Sequence, residues 1–209
     1  MSILPDANSL DELIQTRKTG KEQFLGSGQS QPPTLLEFWQ WSASDLVSNT
    51  TRGRLAEFIV AYALGLASGL RREWDAFDLK TKFGLKIEVK SCAYLQSWKQ
   101  AKLSPITFRI PKTRAWDESE NIRSEESVRQ ADIYVFAILA HEKKVTLNPL
   151  DLDQWHFYLI PTSILNERIG SQYSITLKLL RTMTTQTRFE DLPKAVEELE
   201  ILLLKNVHR

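Results

Sequence analysis

Cysteine is all but missing from this sequence: Cys92 stands alone among 209 residues. That excludes an internal disulfide framework and any cysteine-built zinc site. Histidine is scarce too, and His141, His156 and His208 share no metal-ligand spacing. There is no glycine-rich phosphate loop, nucleophile elbow or H-E-x-x-H helix. Neither sign of charge is in excess, with 27 Lys and Arg facing 26 Asp and Glu for a formal net charge of +1. Coating nucleic acid by bulk charge is thereby excluded, although a local basic face is not. Long apolar runs are also lacking. The longest uncharged one, residues 58–70, has 13 residues, against the roughly 18–20 that a membrane span needs. Met1-Ser2-Ile3-Leu4-Pro5-Asp6 has neither the basic nor the apolar region of a secretory leader, so a cytoplasmic protein with no membrane partner is expected.

What remains is a globular mixture, 42% hydrophobic and 25% charged, with enough chain for one domain and a sizeable core. Ser9-Leu10-Asp11-Glu12 and Thr34-Leu35-Leu36-Glu37 have capping-box spacing, and each predicts the start of a helix. The segment Gly26-Ser27-Gly28-Gln29-Ser30-Gln31-Pro32-Pro33 between them reads as a linker. The expected organisation is a helical arm and linker over residues 1–33 and a single domain over 34–209. Patterning then predicts a helix over 52–67, strands over 72–80, 85–91 and 106–110, and a polar, acidic helix over 119–130. Residues 133–139 are apolar on both faces, as in a central strand. A strand over 157–160, a short helix over 162–168, a strand over 174–180 and a helix over 192–205 follow. The fold class expected is α/β, an αβββαβ core with a mixed central sheet flanked by helices plus a C-terminal β-α-β-α extension. The last helix carries Ala195, Val196, Leu199, Leu202 and Leu203, which either cap the sheet or join two copies as a homodimer.

Two segments concentrate charge where apolar residues dominate. Glu57 is the only charged residue between Leu55 and Leu70. Leu55, Phe58, Ile59, Tyr62 and Leu66 form one stripe of that helix, and Val60 and Leu64 share the face of Glu57. This predicts a helix buried all round, with Glu57 pointing into protein. A buried carboxylate needs a cation, a metal or a proton; otherwise Glu57 is a first-turn residue paired with Arg52 or Arg54. Downstream, Lys82-Phe83-Gly84 fits a three-residue hairpin loop with glycine in the left-handed position. That loop sets Asp78 opposite Glu88, with Lys90 on the same face, and turns Leu79, Ile87 and Val89 to the other. Facing carboxylates repel by about 0.2–1 kcal/mol, more when buried, so a positive charge is expected between them, either Lys90 or a divalent cation. A one-residue slip of the hairpin would put Asp75 in place of Asp78.

Charge is not spread evenly along the chain. Lys80, Lys82, Lys86, Lys90, Lys99, Lys102, Arg109, Lys112 and Arg114 fall between Leu79 and Arg114, where Glu88 is the only acid. Tyr94, Trp98 and Phe108 interleave with them, a pattern suited to a polyanion with stackable bases. Lys86, Tyr94, Trp98, Lys99, Lys102, Arg109, Lys112 and Arg114 are the expected contacts, with Gln96 and Ser97 reaching phosphate or base edges.

Glu57, Asp78 and Glu88-Val89-Lys90 together resemble the PD-(D/E)xK nuclease superfamily, the restriction-endonuclease-like fold, over roughly residues 52–140. Its core carries a helix Glu, a strand Asp and an E-x-K on the next strand. Phe77 stands where many members have proline. Arg52-Gly53 before Glu57 and Tyr94-Leu95-Gln96-Ser97-Trp98 after Lys90 look like a bacterial branch of the superfamily. The resemblance implies hydrolysis of phosphodiester bonds, in DNA ahead of RNA. Asp78, Glu88 and Lys90 would be catalytic, with Glu57 joining them and Arg52 and Arg54 supporting. Asp78 and Glu88 are hard oxygen donors suited to Mg2+, with Mn2+ able to substitute. The Val89 carbonyl is a third ligand and Glu57 acts directly or through water. Two rival expectations are a catalytically inactive nucleic-acid-binding module on the same scaffold, and a structural protein whose carboxylates merely pair with Lys90 and Arg54.

Overall fold

The structure is a computed structural model that describes residues 14–26, 28, 31–73, 75–117 and 122–207. The capping box at Ser9 lies outside these residues. The second capping box forms as expected: Thr34 caps α1 (Leu35–Ala43), its hydroxyl accepting the Glu37 N–H while Glu37 accepts the Thr34 N–H.

A five-stranded sheet organises the molecule. In chain order its strands are β1 (Leu79–Lys80), β2 (Lys86–Ala93), β6 (Ile133–Leu139), β7 (Trp155–Pro161) and β9 (Gln186–Thr187), and they lie side by side in that order. β2 and β6 run parallel and the other pairs are antiparallel, so the expected mixed α/β architecture is observed. β6 is buried at all seven positions. Its odd residues Ile133, Val135, Ala137 and Leu139 pack with α2 (Asn49–Ala63) and α5 (Leu192–Val207). Its even residues Tyr134, Phe136 and Ile138 pack on the opposite face. They meet α3 (Thr162–Ile169), α4 (Leu177–Leu180) and a small sheet of β3 (Thr107–Arg109) with β8 (Ser174–Thr176). Each such side chain contributes about 1.5–3 kcal/mol by leaving water, which is why an uninterrupted apolar run of seven must become the central strand.

Several expected elements change extent or type. α2 stops at Ala63 rather than residue 67, because Gly65 at φ 69° closes a Schellman turn. In that turn the Gly65 N–H donates to Tyr62 O and the Leu66 N–H to Ala61 O. The strand expected over 72–80 is reduced to β1. The strand over 106–110 forms as β3, in the small sheet and not the central one, and the strand over 174–180 becomes β8 followed by α4. Of the acidic helix expected over 119–130, residues 119–121 lie outside the described residues and 122–130 are not helical. Instead β4 (Trp116–Asp117) pairs with β5 (Ile122–Arg123), and Thr113 bridges Val128. Ile122 and Val128 fall on different sides of any helix drawn there, so such a helix would have no stripe to bury. The Ser124 hydroxyl and Gln130 amide instead bond the backbone of Ala115 and Thr113.

The N-terminal segment is tied back to the rest. Gln23 bridges Thr34, and the Arg17 guanidinium donates to the carbonyls of Ala67 and Ser68 in the loop after α2. Among the described residues no helix is long and apolar enough to cross a membrane.

Candidate active site

The hairpin loop decides which side chains meet. Gly84 takes φ 96°, and the register is Leu79 opposite Ile87 and Lys80 opposite Lys86. Asp78 therefore stands at the end of the ladder across from Glu88, while Asp75 is exposed farther up the chain. The Asp78 N–H still donates to Ile87 O at 3.0 Å. Its carboxylate Oδ2 accepts the Val89 N–H at 2.7 Å, the donor that a longer β1 would have bonded through backbone. One side chain thus both ends the strand and lies along the edge of the sheet.

The edge position lets groups from both faces act on Asp78. Burial first, then the negative charges of Glu88 and Glu57, push its carboxyl up to about 7. The Val89 hydrogen bond and the Lys90 charge pull the other way and are outweighed. Glu57 forks onto Arg71, with Nη2 3.2 Å from Oε1 and Nε bonded to Oε2. Glu88 is ion-paired with Lys90. Asp78 has no cation at ion-pair distance among the described residues, so it is the carboxylate left unbalanced. On β6, Tyr134 pairs with Glu88 in the parallel register. Burial and the adjacent Glu88 charge raise its phenol well above the ordinary tyrosine range.

Two cavities flank this edge. On the α2 side a cleft of about 470 Å³ is lined by Glu57, Asp75 and Asp78 together with Arg54, Arg71, Arg72 and Lys80. On the other side Glu88 and Lys90 line a small cavity of about 60 Å³ with Ala76, Pro111, Thr113, Gln130 and Tyr134. Asp78 is therefore within electrostatic reach of Glu57, Glu88 and Lys90, but Glu57 and Asp78 line one cavity and Glu88 and Lys90 the other. Among the described residues no three His, Cys, Asp or Glu side chains are gathered into a ready metal cage. Mg2+ does not require one, since it commonly keeps several waters and binds one or two carboxylates plus substrate phosphate. A half-buried, unbalanced carboxylate beside a second hard oxygen donor fits such an ion.

The helix around Glu57 differs from expectation. Phe58 is 51% exposed and Tyr62 66% exposed, so α2 is not buried all round: among the described residues, Pro149, Leu150, Leu152 and Phe189 border the Phe58–Tyr62 pair across an open cavity. Glu57 does point inward, but its partner is Arg71 rather than Arg52 or Arg54. Arg54 reaches Glu73 at 3.6 Å, in solvent. Arg52 is buried and spent on the fold: it donates to Val47 O at 2.9 Å, Asn49 Oδ1 at 2.8 Å, Ser91 Oγ at 3.3 Å and Gln96 Oε1 at 3.4 Å.

The expected nucleic-acid contacts fall into distinct groups. Ser97, Trp98, Lys99 and Lys102 are exposed beyond the C-terminal end of β2, where Lys144 donates to the Trp98 carbonyl. Arg109, Lys112 and Arg114 are exposed on the strap that runs over the small cavity, Arg109 lying 4.7 Å from the Tyr173 ring centre. Lys86 stacks over Phe77, 5.6 Å from its centre, and Tyr94 is half-buried against the core. Gln96 is only 8% exposed, and its amide is used on Arg52, Ala93 O and Ser104. It is a brace for the loop, with no group left for a ligand. Sequence reasoning misses Arg71, Arg72 and Tyr134. The adjacent pair Arg71-Arg72 is visible but lies just upstream of the basic segment, and Tyr134 reads as core until the β2–β6 register sets it beside Glu88.

A family model described as Bacteriophage T4 endonuclease IV matches residues 9–177, more than three quarters of the chain. The match takes in every site residue named above and ends before α5. No curated protein matches.

Proposed function

This chain belongs to the bacteriophage T4 endonuclease IV family, a nuclease family, and from that premise we propose that it is a divalent-metal-dependent endonuclease acting on DNA through a PD-(D/E)xK-type site. One observation carries the reading: Asp78 is half-buried at the sheet edge, opposite Glu88 and with no cation at ion-pair distance among the described residues, the Glu88–Lys90 pair alongside. Asp78, Glu88 and the Val89 carbonyl would hold Mg2+ or Mn2+, with Glu57 as a further ligand directly or through water. Such an ion, when bound, supplies charge to offset that developing on the phosphoryl oxygens and lowers the pKa of water.

The chain's own groups do the rest. Arg54, Arg71, Arg72 and Lys80 make the cleft over Asp78 attractive to a polyanion in spite of its three carboxylates. Lys90 is ion-paired with Glu88 and is placed to orient water or to donate to a phosphate oxygen. In the hydrolysis a water oxygen bonds to phosphorus, one P–O ester bond breaks, and the departing oxygen takes a proton. Tyr134 and its apolar neighbours close the Glu88 side against bulk solvent.

Cleavage of plasmid and oligonucleotide DNA, with matched RNA, in Mg2+ and in Mn2+ tests the proposal. The Glu88→Gln protein should melt as the parent does and lose at least about a hundredfold in kcat. Full activity in folded Glu88→Gln refutes the site. Salt-sensitive DNA binding with no response to metal makes the chain a binding module instead.

A further inference from the structure

We propose that Arg71 is the phosphate-binding residue of the cleft, held in reserve on Glu57 and released to substrate when Glu57 turns to a divalent cation. The inference rests on the metal-dependent reading above and deepens it. Arg71 comes from the loop after α2, which Arg17 fastens through Ala67 and Ser68. It meets Glu57 with Nε and Nη2, and a guanidinium has five N–H donors in one plane, so among the described residues its remaining donors are available to a second anion. The Glu57 side chain is 14% exposed and that of Arg71 39% exposed: the acid is fixed in the wall while the base faces the cleft. Arg71 also feels the charge of Asp78. In the metal-free protein it is therefore the counter-ion of Glu57, with the charge of Asp78 acting on it from beyond ion-pair distance.

Such an arrangement has a consequence that a plain structural clamp lacks. A cation bound at the carboxylates and Arg71 on Glu57 compete for the same negative charge, whereas a phosphodiester in the cleft satisfies both at once. Arg71 then opposes metal binding when substrate is absent and supports substrate binding when metal is present. Arg72 lines the same cleft without bonding Glu57, which supplies a control for charge alone.

Calorimetric titration of Mn2+ into the full chain without nucleic acid tests this on the parent, Arg71→Gln, Arg72→Gln, Glu57→Gln and the Glu57→Gln/Arg71→Gln pair. Arg71→Gln should tighten Mn2+ binding about tenfold, the equivalent of one charge-assisted hydrogen bond. Arg72→Gln should change it by less than about twofold, and the Arg71 effect should vanish in the Glu57→Gln background. With an oligonucleotide substrate in Mn2+, Arg71→Gln should raise KM about tenfold more than it lowers kcat, and Arg71→Lys should restore part of the loss. Mn2+ affinity that is unchanged or weaker in Arg71→Gln, with a lowered melting temperature, makes Arg71 a clamp and overturns the inference while leaving the metal site standing. A parent protein that binds no Mn2+ overturns both.

Discussion

Asp78 is the residue on which the site turns, and its chemistry extends to the stability of the whole chain. In the unfolded chain its carboxyl titrates near 3.8, whereas burial and the charges of Glu88 and Glu57 raise it to about 7 in the fold. Between those values the native state holds a proton that the unfolded state has released. The contribution of Asp78 to the stability of the metal-free protein therefore falls as pH rises from about 4 to about 7 and levels off above. Asn at this position keeps an oxygen for the Val89 N–H and carries no charge. Thermal melts in EDTA should show the parent losing more stability than Asp78→Asn between about pH 4 and about pH 8, and the variant melting a few degrees higher at the alkaline end. Parallel pH profiles for the two proteins would contradict this assignment. A metal bound at Asp78, as proposed, would compete with that same proton, so cleavage in Mg2+ should then rise with pH through neutrality.

At the scale of elements, the β1–β2 hairpin puts Asp78 where it is, and Gly84 sets the hairpin. A Cβ at Gly84 would meet nothing within 4 Å, so any cost of adding one comes from φ 96° alone. Gly84→Ala should destabilise by about 1 kcal/mol or more, and Gly84→Asn by less, as read from denaturant unfolding. Equal stability of all three would mean that the turn does not fix the register. That register is legible in the sequence because a three-residue loop ending in glycine favours one pairing, although spacing alone leaves a one-residue slip open, and β6 is legible because seven apolar residues in a row have one place to go. The limits of β1 and α2 are less legible. β1 ends because the Asp78 side chain takes a backbone donor, and α2 ends in a turn that periodicity does not register. The exposed Phe58–Tyr62 side of α2 is invisible for a related reason, since an apolar stripe in sequence does not say whether another element covers it. Arg71 escapes notice because the loop after α2 folds back on Glu57 across fourteen residues, a distance that no local spacing rule spans.

For the whole molecule, the parallel alignment of β2 and β6 separates the basic residues into two stations. Lys99 and Lys102 follow the C-terminal end of β2, whereas Lys112 and Arg114 flank Pro111 and Thr113 in the wall around Glu88 and Lys90. A backbone crossing the carboxylates must pass the second station, while the first lies several residues along the strand, at about 3.3 Å for each. The net charge of +1 allows little binding from bulk charge, so affinity has to come from such local contacts. Each phosphate neutralised adds about 0.9 to the slope of log K against log salt on duplex DNA and about 0.7 on single strands. Anisotropy titrations in EDTA over a range of salt should therefore show Lys112→Ala/Arg114→Ala lowering the slope by about 1.8 on duplex and about 1.4 on single strands. Lys194→Ala should leave it unchanged, because Lys194 lies on α5, paired with Glu198 and beyond the matched family region. An unaltered slope in the Lys112/Arg114 variant would move the path of the nucleic acid off the strap and onto the cleft side, where Arg54, Arg72 and Lys80 would have to supply the missing contacts.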